Sequence, residues 1–368
     1  MSTVFCNLSR LPGVSMIDKM SDLVIIREFV YCEGIMAFEI CGTGRAVPSR
    51  RITNDDLSEK LDTSDEWIRS HTGIGARHIA GEETATSDLA AEAAKNALAL
   101  AGDIDPLSLD MIILATTTAD YFGSPSTSCI VQEKLGAKNA GAMDISAACT
   151  GFIYALETAA GLLSRGSRKR ILVIGADILS KFTDWTDRSS CVLFGDGAGA
   201  VILDKTSAPG EGTGKRGLLR TLLKADGSGS EHIVLRRGGS RNPYREGETI
   251  AKPTHIEMNG QAVYNFAVKA MTDTISEIIS IEGVSMDDVA WIIPHQANAR
   301  IVQAAAKRLK IPEEKCFLNI EEFANTSAAS IPIALDELNR GGKLNRGDLI
   351  LTVGFGSGLT YGANLLVW

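Results

Sequence analysis

Cys149 lies in Asp144-Ile-Ser-Ala-Ala-Cys-Thr-Gly-Phe152, a setting that can turn an ordinary thiol into a nucleophile. The residues before it, Ala140 to Ile145, read as a buried strand end, and Gly151 to Leu163 reads as an apolar helix. A cysteine at such a strand-to-helix turn stands beside unpaired backbone N–H groups and the positive end of the helix dipole. That position is expected to lower the thiol pKa and favour the thiolate. The alternative is a small buried hydrophobe, which is how cysteine more often behaves. Two other residues have the types that could assist a thiol. His295 stands in Ile293-Pro-His-Gln-Ala-Asn-Ala-Arg300, and Asn325 in Phe323-Ala-Asn-Thr-Ser-Ala-Ala-Ser330. Gly354-Phe-Gly-Ser-Gly358 can bring backbone N–H groups close to a reacting carbonyl, as an oxyanion hole needs. Taken singly, the histidine reads as well as a hydrogen-bonded core residue, and the asparagine as turn chemistry.

The elements that must position these residues follow an α/β pattern beyond residue 36, with short β-branched runs alternating with alanine-rich stretches. Residues 86–101 read as a capped helix, and Asp110–Thr116, Arg170–Gly175 and Ala198–Leu203 as strands. The second half repeats the layout, with a helix over 263–281 and strands at 288–295 and 348–354. Ile113 corresponds to Ile293 by a shift of 180 and Gly175 to Gly354 by a shift of 179, which points to an internal duplication. Cys149, His295 and Asn325 then all fall on loops at strand ends, where α/β folds assemble their sites. Residues 205–256 read as a long connection with short strands of its own.

At 368 residues the chain suits two ordinary domains or one large double domain. A net charge of −8 argues against a nucleic-acid surface as the main function, while leaving room for a local basic patch. Seven cysteines in scattered positions suit a reducing cytoplasm better than a disulfide framework. Five histidines without close pairing offer no metal-binding pattern. No apolar run is long enough to span a membrane. Residues 1–35 lack signal-peptide character and read as a poorly ordered extension or a start site placed too far upstream, with Leu23–Ile26 as an apolar run able to pack as an extra element.

From about Met36 to Trp368 the chain resembles β-ketoacyl-acyl carrier protein synthase III, a thiolase-fold condensing enzyme family that starts bacterial fatty-acid synthesis. The markers are Gly42-Thr-Gly44, Thr63-Ser-Asp-Glu-Trp-Ile68, Thr72-Gly-Ile74, Arg77-His-Ile79, Ala147-Ala-Cys-Thr-Gly-Phe152, Thr186-Asp-Arg188, Phe194-Gly-Asp-Gly-Ala-Gly-Ala200, Pro294-His-Gln-Ala-Asn298 and Asn325-Thr-Ser-Ala-Ala-Ser330. The resemblance implies a duplicated αβαβα five-layer fold whose pseudo-symmetric halves span residues 36–205 and 206–368. It implies that Cys149 carries the acyl group, with His295 and Asn325 as donors to the malonyl-derived enolate and the backbone N–H groups of Cys149 and Ser357 as oxyanion hole. Trp67 and Arg188 would sandwich the coenzyme A (CoA) adenine, with Gly260 and Gln261 near the pantetheine arm. Arg300, Lys307 and Arg308 would meet the acidic carrier protein. Acyl-CoA and malonyl-carrier protein are then substrates; no separate cofactor, metal, nucleic acid or membrane is implied, and a homodimer is.

This chain also departs from the family pattern. His71 stands where an arginine for CoA phosphate is common, and Asn265 where a basic carrier-facing residue is common. In Ala119-Asp-Tyr-Phe-Gly-Ser-Pro125, the loop that would gate the partner's acyl pocket, Ser124 occupies a position often bulky and Phe122 lies two residues earlier. Acetyl is the default primer, and a related enzyme using longer or branched acyl-CoA, including one in secondary metabolism, is the alternative. A papain-like cysteine hydrolase lacks its Cys-Gly-Ser-Cys-Trp signature here, and an inactive carrier-binding scaffold would not need all three of Cys149, His295 and Asn325.

Overall fold

The protein is described by a computed structural model that covers residues 36–206, 216–247 and 254–368. The expectations for residues 1–35 lie outside the described residues. Residues 36–368 form one compact unit. Five strands make its first wing: β1 (Met36–Ala46), β2 (Met111–Ala115), β3 (Gly141–Ile145), β4 (Arg170–Ile178) and β5 (Asp196–Lys205), in the order β3-β2-β4-β5-β1. Four make the second: β6 (Gly217–Ala225), β7 (Val289–Pro294), β8 (Leu349–Gly356) and β9 (Thr360–Val367), in the order β7-β8-β9-β6. The wings join where β1 meets β6 through the pairs Met36–Leu218 and Ala37–Gly217.

The duplication is visible in the pairing sense. β2 runs parallel to β4, which pairs antiparallel to β5, and β5 antiparallel to β1. In the second wing β7 runs parallel to β8, which pairs antiparallel to β9, and β9 antiparallel to β6. The place of β3 is held there by an isolated parallel bridge, Ile292 to Cys316.

Side-chain alternation sorts the helices into layers. Among them are α1 (Asp65–Thr72), α2 (Thr86–Leu100), α3 (Gly151–Ser164), α4 (Gly260–Glu282), α5 (Ala299–Leu309) and α6 (Ser330–Arg340). Ile112, Leu114, Leu172 and Ile174 face the alanines of α2, whereas Ile113, Ile171 and Val173 face α3 and α6. On the second wing Ile293, Ile350 and Leu366 face those same two helices, and Ile292, Leu351 and Leu365 face α4 and α5. Helix, sheet, helix, sheet and helix therefore stack in five layers. The middle helix α3 buries residues on both sides, which explains why its sequence is apolar all round. Each fully buried Phe152, Ile153 or Leu156 contributes about 1.5–3 kcal/mol relative to exposure.

One expectation changes. Within the stretch read as a long connection with short strands of its own, residues 217–225 form a full strand of the main sheet, paired along its length with β9. Its sequence Gly-Leu-Leu-Arg-Thr-Leu-Leu-Lys-Ala carries apolar pairs instead of alternation, so no period-2 signal marks it. The rest of that region holds two short paired strands, Ile233–Leu235 and Ile256–Met258.

Candidate active site

Cys149 follows β3 in a single tight turn, Ala148–Thr150, that leads into α3. Ala148 is held at φ +47°, a left-handed conformation that costs a residue with a Cβ. The Thr150 hydroxyl donates to the Ala147 carbonyl at 2.5 Å. The end of β8 approaches closely: a Cβ on Gly356 would lie 2.7 Å from the Cys149 nitrogen and 3.2 Å from its Cβ. Only glycine leaves room for the backbone there. Cys149 opens into a cavity of about 590 Å³ that also receives His295, Asn325, Gly356 and Ser357.

The thiol differs electrostatically from the sequence expectation. Burial pushes its pKa up to about 12, and the Asp177 charge adds to that direction, while a hydrogen bond from Ser327 opposes it. Desolvation at the cavity floor outweighs the helix N-terminus. The resting group is therefore a thiol.

His295 comes directly after β7, and its backbone N–H donates to the Val353 carbonyl at 2.8 Å. The side chain is 1% exposed, and burial drops its pKa to about 3, so the imidazole is neutral. Its Nδ1 lies 2.7 Å from Ser330 Oγ. That oxygen already accepts the Gln296 N–H at 3.4 Å, and the serine proton has no other acceptor among the described residues. Ser330 thus donates to Nδ1, which assigns the proton of the ring to Nε2. Phe355 packs on the imidazole edge-on at 5.4 Å.

Asn325 is pinned by backbone bonds on both sides, its N–H to the Leu193 carbonyl and its carbonyl from the Gly195 N–H, each 3.0 Å. Its Oδ1 accepts the Ser327 N–H at 2.9 Å, and the amide NH₂ has no hydrogen-bond partner among the described residues. The flanking Ala324 and Ser327 take φ values of +56° and +51°. The loop therefore holds the side chain in one orientation. Cys149, His295, Asn325 and Ser357 all line one cavity with two neutral side-chain donors, an arrangement able to stabilise an oxyanion without competing for its proton.

Trp67, His71, Asn298 and Gly260 also line this cavity. Arg188 does not line it, but its guanidinium stands 5.0 Å over the Trp67 ring, and His71 stacks on that ring at 4.4 Å. Trp67 and Arg188, expected from the resemblance to hold the adenine between them, are therefore in mutual contact rather than spaced apart. Gln261 is exposed and its amide donates to Asn265 at 3.2 Å, so it too lies off the cavity. Arg300, Lys307 and Arg308 are exposed on α5, and none has an ion-pair partner among the described residues. Residues 300 and 307 are seven apart and share a helix face. Phe122 and Ser124 do not line this chain's cavity. Phe122 is 61% exposed and lies against Tyr244 at 6.4 Å. Ser330, Ser327 and Phe355 hold the site although no role was read for them; all three sit within quoted motifs, so position was legible but partner was not.

Two family models match, 3-oxoacyl-[acyl-carrier-protein] synthase III over residues 143–227 and its C-terminal model over 279–368. The chain is 46% identical over 330 residues to β-ketoacyl-[acyl-carrier-protein] synthase III of Clostridium acetobutylicum, covering 90% of this chain and 98% of the relative. It is 49% identical over 333 residues to the protein of that name in Geobacillus kaustophilus, covering 90% and 99%. The crystal structure of 3-oxoacyl-[acyl-carrier-protein] synthase III from Aquifex aeolicus superposes with a TM-score of 0.81 at 46% identity, covering 90% of this chain and all of that one. With nearly the full length of such relatives matched and their fold shared, this chain belongs to the β-ketoacyl-[acyl-carrier-protein] synthase III family.

Proposed function

We propose that the protein condenses an acyl-CoA with malonyl-acyl carrier protein and so initiates fatty-acid synthesis. In the first half-reaction the Cys149 sulfur bonds to the acyl carbonyl carbon. The backbone N–H groups of Cys149 and Ser357 hold the tetrahedral oxyanion. The carbon–sulfur bond to CoA then breaks, and the thiol proton ends on the departing CoA sulfur. The acyl group is left as a thioester on Cys149.

In the second half-reaction the malonyl group loses its carboxylate as carbon dioxide. The electron pair passes into an enolate whose oxygen takes hydrogen bonds from His295 Nε2–H and the Asn325 amide. The enolate carbon attacks the Cys149 thioester, the sulfur leaves as a thiolate and takes up one proton from solvent, and 3-oxoacyl-carrier protein is released. A histidine with its pKa near 3 suits this step, because it donates without becoming a cation. The scheme uses only this chain's groups and the two thioester substrates, with no separate cofactor.

The observation that carries this reading is the meeting of Cys149, Ser357 and two neutral donors in one cavity that Trp67 also lines. Trp67 and Arg188 would part to take the adenine between them, since a stacked base needs about 7 Å between its neighbours. Gly260 borders the pantetheine path, with Gln261 beside it. The unpaired face of Arg300, Lys307 and Arg308 would dock the acidic carrier protein. Tyr121 and Phe122, 57% and 61% exposed, support a homodimer in which this loop, with Ser124, closes the partner's acyl pocket. Acetyl is the primer assigned. Free thiols at the five described cysteines and CoA thioester chemistry support a cytoplasmic site.

The deciding experiment mixes the protein with acetyl-CoA and malonyl-carrier protein. Acetoacetyl-carrier protein and carbon dioxide are expected, and a Cys149→Ser variant should form neither. Full activity in that variant would sink the mechanism. If octanoyl-CoA acylated Cys149 much faster than acetyl-CoA, the initiating role would fall while the chemistry stood.

A further inference from the structure

Asp177, near the end of β4, is completely buried, and its carboxylate joins two segments that the reaction uses. Oδ1 accepts from the Thr117 and Thr118 backbone N–H groups at 2.8 and 3.1 Å. The hydroxyls of Thr116, Thr117 and Thr118 point at the same oxygen from 3.0 to 3.1 Å. Thr117 and Thr118 line the cavity. Oδ2 accepts the Ala328 N–H at 3.2 Å. Ala328 sits in the turn Ser327–Ala329, and Cys149, His295 and Asn325 are each carried or held by groups that touch that turn or its flank. The Ser327 N–H holds Asn325 Oδ1, Ser330 holds His295 Nδ1, and the Ala148–Thr150 turn that carries Cys149 packs against Ser327–Ala329. A Cβ on Gly175, two residues before Asp177, would lie 2.2 Å from the Ala328 carbonyl, so turn and strand are pressed together at this point.

We propose that Asp177 is a positioning residue that clamps the 327–330 turn to the 116–118 cavity wall, and thereby sets the Asn325 and His295 donors relative to Cys149. This rests on the condensation reading above. One buried carboxylate does this because it alone offers acceptors in both directions; an amide offers one acceptor and one donor. In Asp177→Asn the five donors around Oδ1 keep the amide oxygen on their side. The NH₂ then faces the Ala328 N–H, and the link to the turn breaks while the wall stays bonded.

The test compares wild type, Asp177→Asn and Thr116→Val, the last removing one hydroxyl donor from the same carboxylate but leaving the Ala328 link. In Asp177→Asn, malonyl-carrier decarboxylation is expected to fall at least about tenfold in kcat, the scale of one lost charged hydrogen bond. Acetyl transfer to Cys149 should fall less. The onset of Cys149 alkylation by iodoacetamide should move to lower pH, because a neighbouring negative charge is gone. Thr116→Val should lower thermal stability without changing the ratio of the two half-reactions. Equal losses in both half-reactions with an unshifted alkylation profile would overturn the proposal. If Asp177→Asn does not fold, hydrogen exchange resolved to single amides in the wild type decides. The Ala328, Thr117 and Thr118 amides should open together, and independent, faster exchange at Ala328 would refute the clamp. Absence of condensation in the wild type would refute the underlying reading instead.

Discussion

Removing the Ser330 hydroxyl should silence one half of the catalysis and spare the other. In Ser330→Ala the Nδ1 of His295 loses its partner at 2.7 Å inside a site where the histidine is 1% exposed. Leaving a buried polar atom unpaired costs about 1–3 kcal/mol. Part of that cost appears as stability, and part as a loss of tautomer control. Without a donor at Nδ1 the ring can place its proton there, and Nε2 then turns a lone pair toward the enolate oxygen in place of an N–H. A hydrogen bond worth about 1.4 kcal/mol in that balance corresponds to a tenfold fall in kcat. Carbon dioxide release from malonyl-carrier protein should therefore drop about tenfold with little change in KM. Acetyl transfer from acetyl-CoA, followed as mass gain on Cys149, depends on the backbone N–H groups and should stay within about twofold of wild type. Decarboxylation at the wild-type rate, or an equal fall in acetyl transfer, would refute the tautomer reasoning.

Burial also makes stability depend on pH from both sides. The unfolded chain protonates its histidine near 6.5 while folded His295 resists to about 3, so stability is full above 6.5 and is lost as pH falls toward 3. That loss reaches about 2 kcal/mol at pH 5. Cys149, at about 12 folded against 9.0 free, holds full stability below 9.0 and loses it as pH rises toward 12, by about 1.4 kcal/mol at pH 10. Urea midpoints across this range check both limbs, and His295→Gln should flatten the acid one. Gly356→Ala places a Cβ 2.7 Å from the Cys149 nitrogen, so the nucleophile turn must shift. About 1–3 kcal/mol of stability should go, along with most acyl-enzyme formation measured by mass. Reversing two charges, Arg300→Glu with Lys307→Glu, should raise KM for malonyl-carrier protein by at least about tenfold at low salt and less at high salt. A salt-independent KM would remove α5 from the docking surface.

Cys149, His295, Asn325 and the Ser357 backbone were legible in sequence because each sits at a strand end or in a small-residue loop of a repeated layout. Trp67 and Gly260 were found through the family pattern and do line the cavity. What was not legible depends on depth or on partners distant in sequence. The helix N-terminus behind Cys149 favours a thiolate, yet nothing in the local sequence states how far water is excluded, and that exclusion decides the direction. The strand 217–225 was missed because its apolar pairs break alternation and its register is set by β9, more than 130 residues later. Asp177 lies two residues beyond the strand that the sequence marks, Arg170–Gly175, on an extension to Ile178 that only the structure shows. A lone acid at the end of such a run is the available signal, since an acid buried without cost must collect donors.

The raised thiol and the lowered imidazole are two effects of one cause, and together they describe how the site handles charge. Desolvation disfavours the thiolate and the imidazolium alike, so the resting enzyme holds no thiolate–imidazolium pair. Such a pair would make Cys149 more reactive at rest, but it would place a cation where the enolate forms and a proton where a carbanion must attack carbon. A neutral Nε2–H held by Ser330 and a neutral amide held by the Ser327 N–H donate without giving up a proton readily. On the proposed mechanism, negative charge then appears in the cavity only when a substrate brings it or when a bond breaks, and fixed donors meet it at each of those moments. The strained residues Ala148, Ala324 and Ser327 lie on the loops that aim these donors, so folding energy is stored where orientation matters. Burial of the site therefore slows the thiol at rest and strengthens every hydrogen bond made in the transition state, which is the balance a decarboxylating condensation needs.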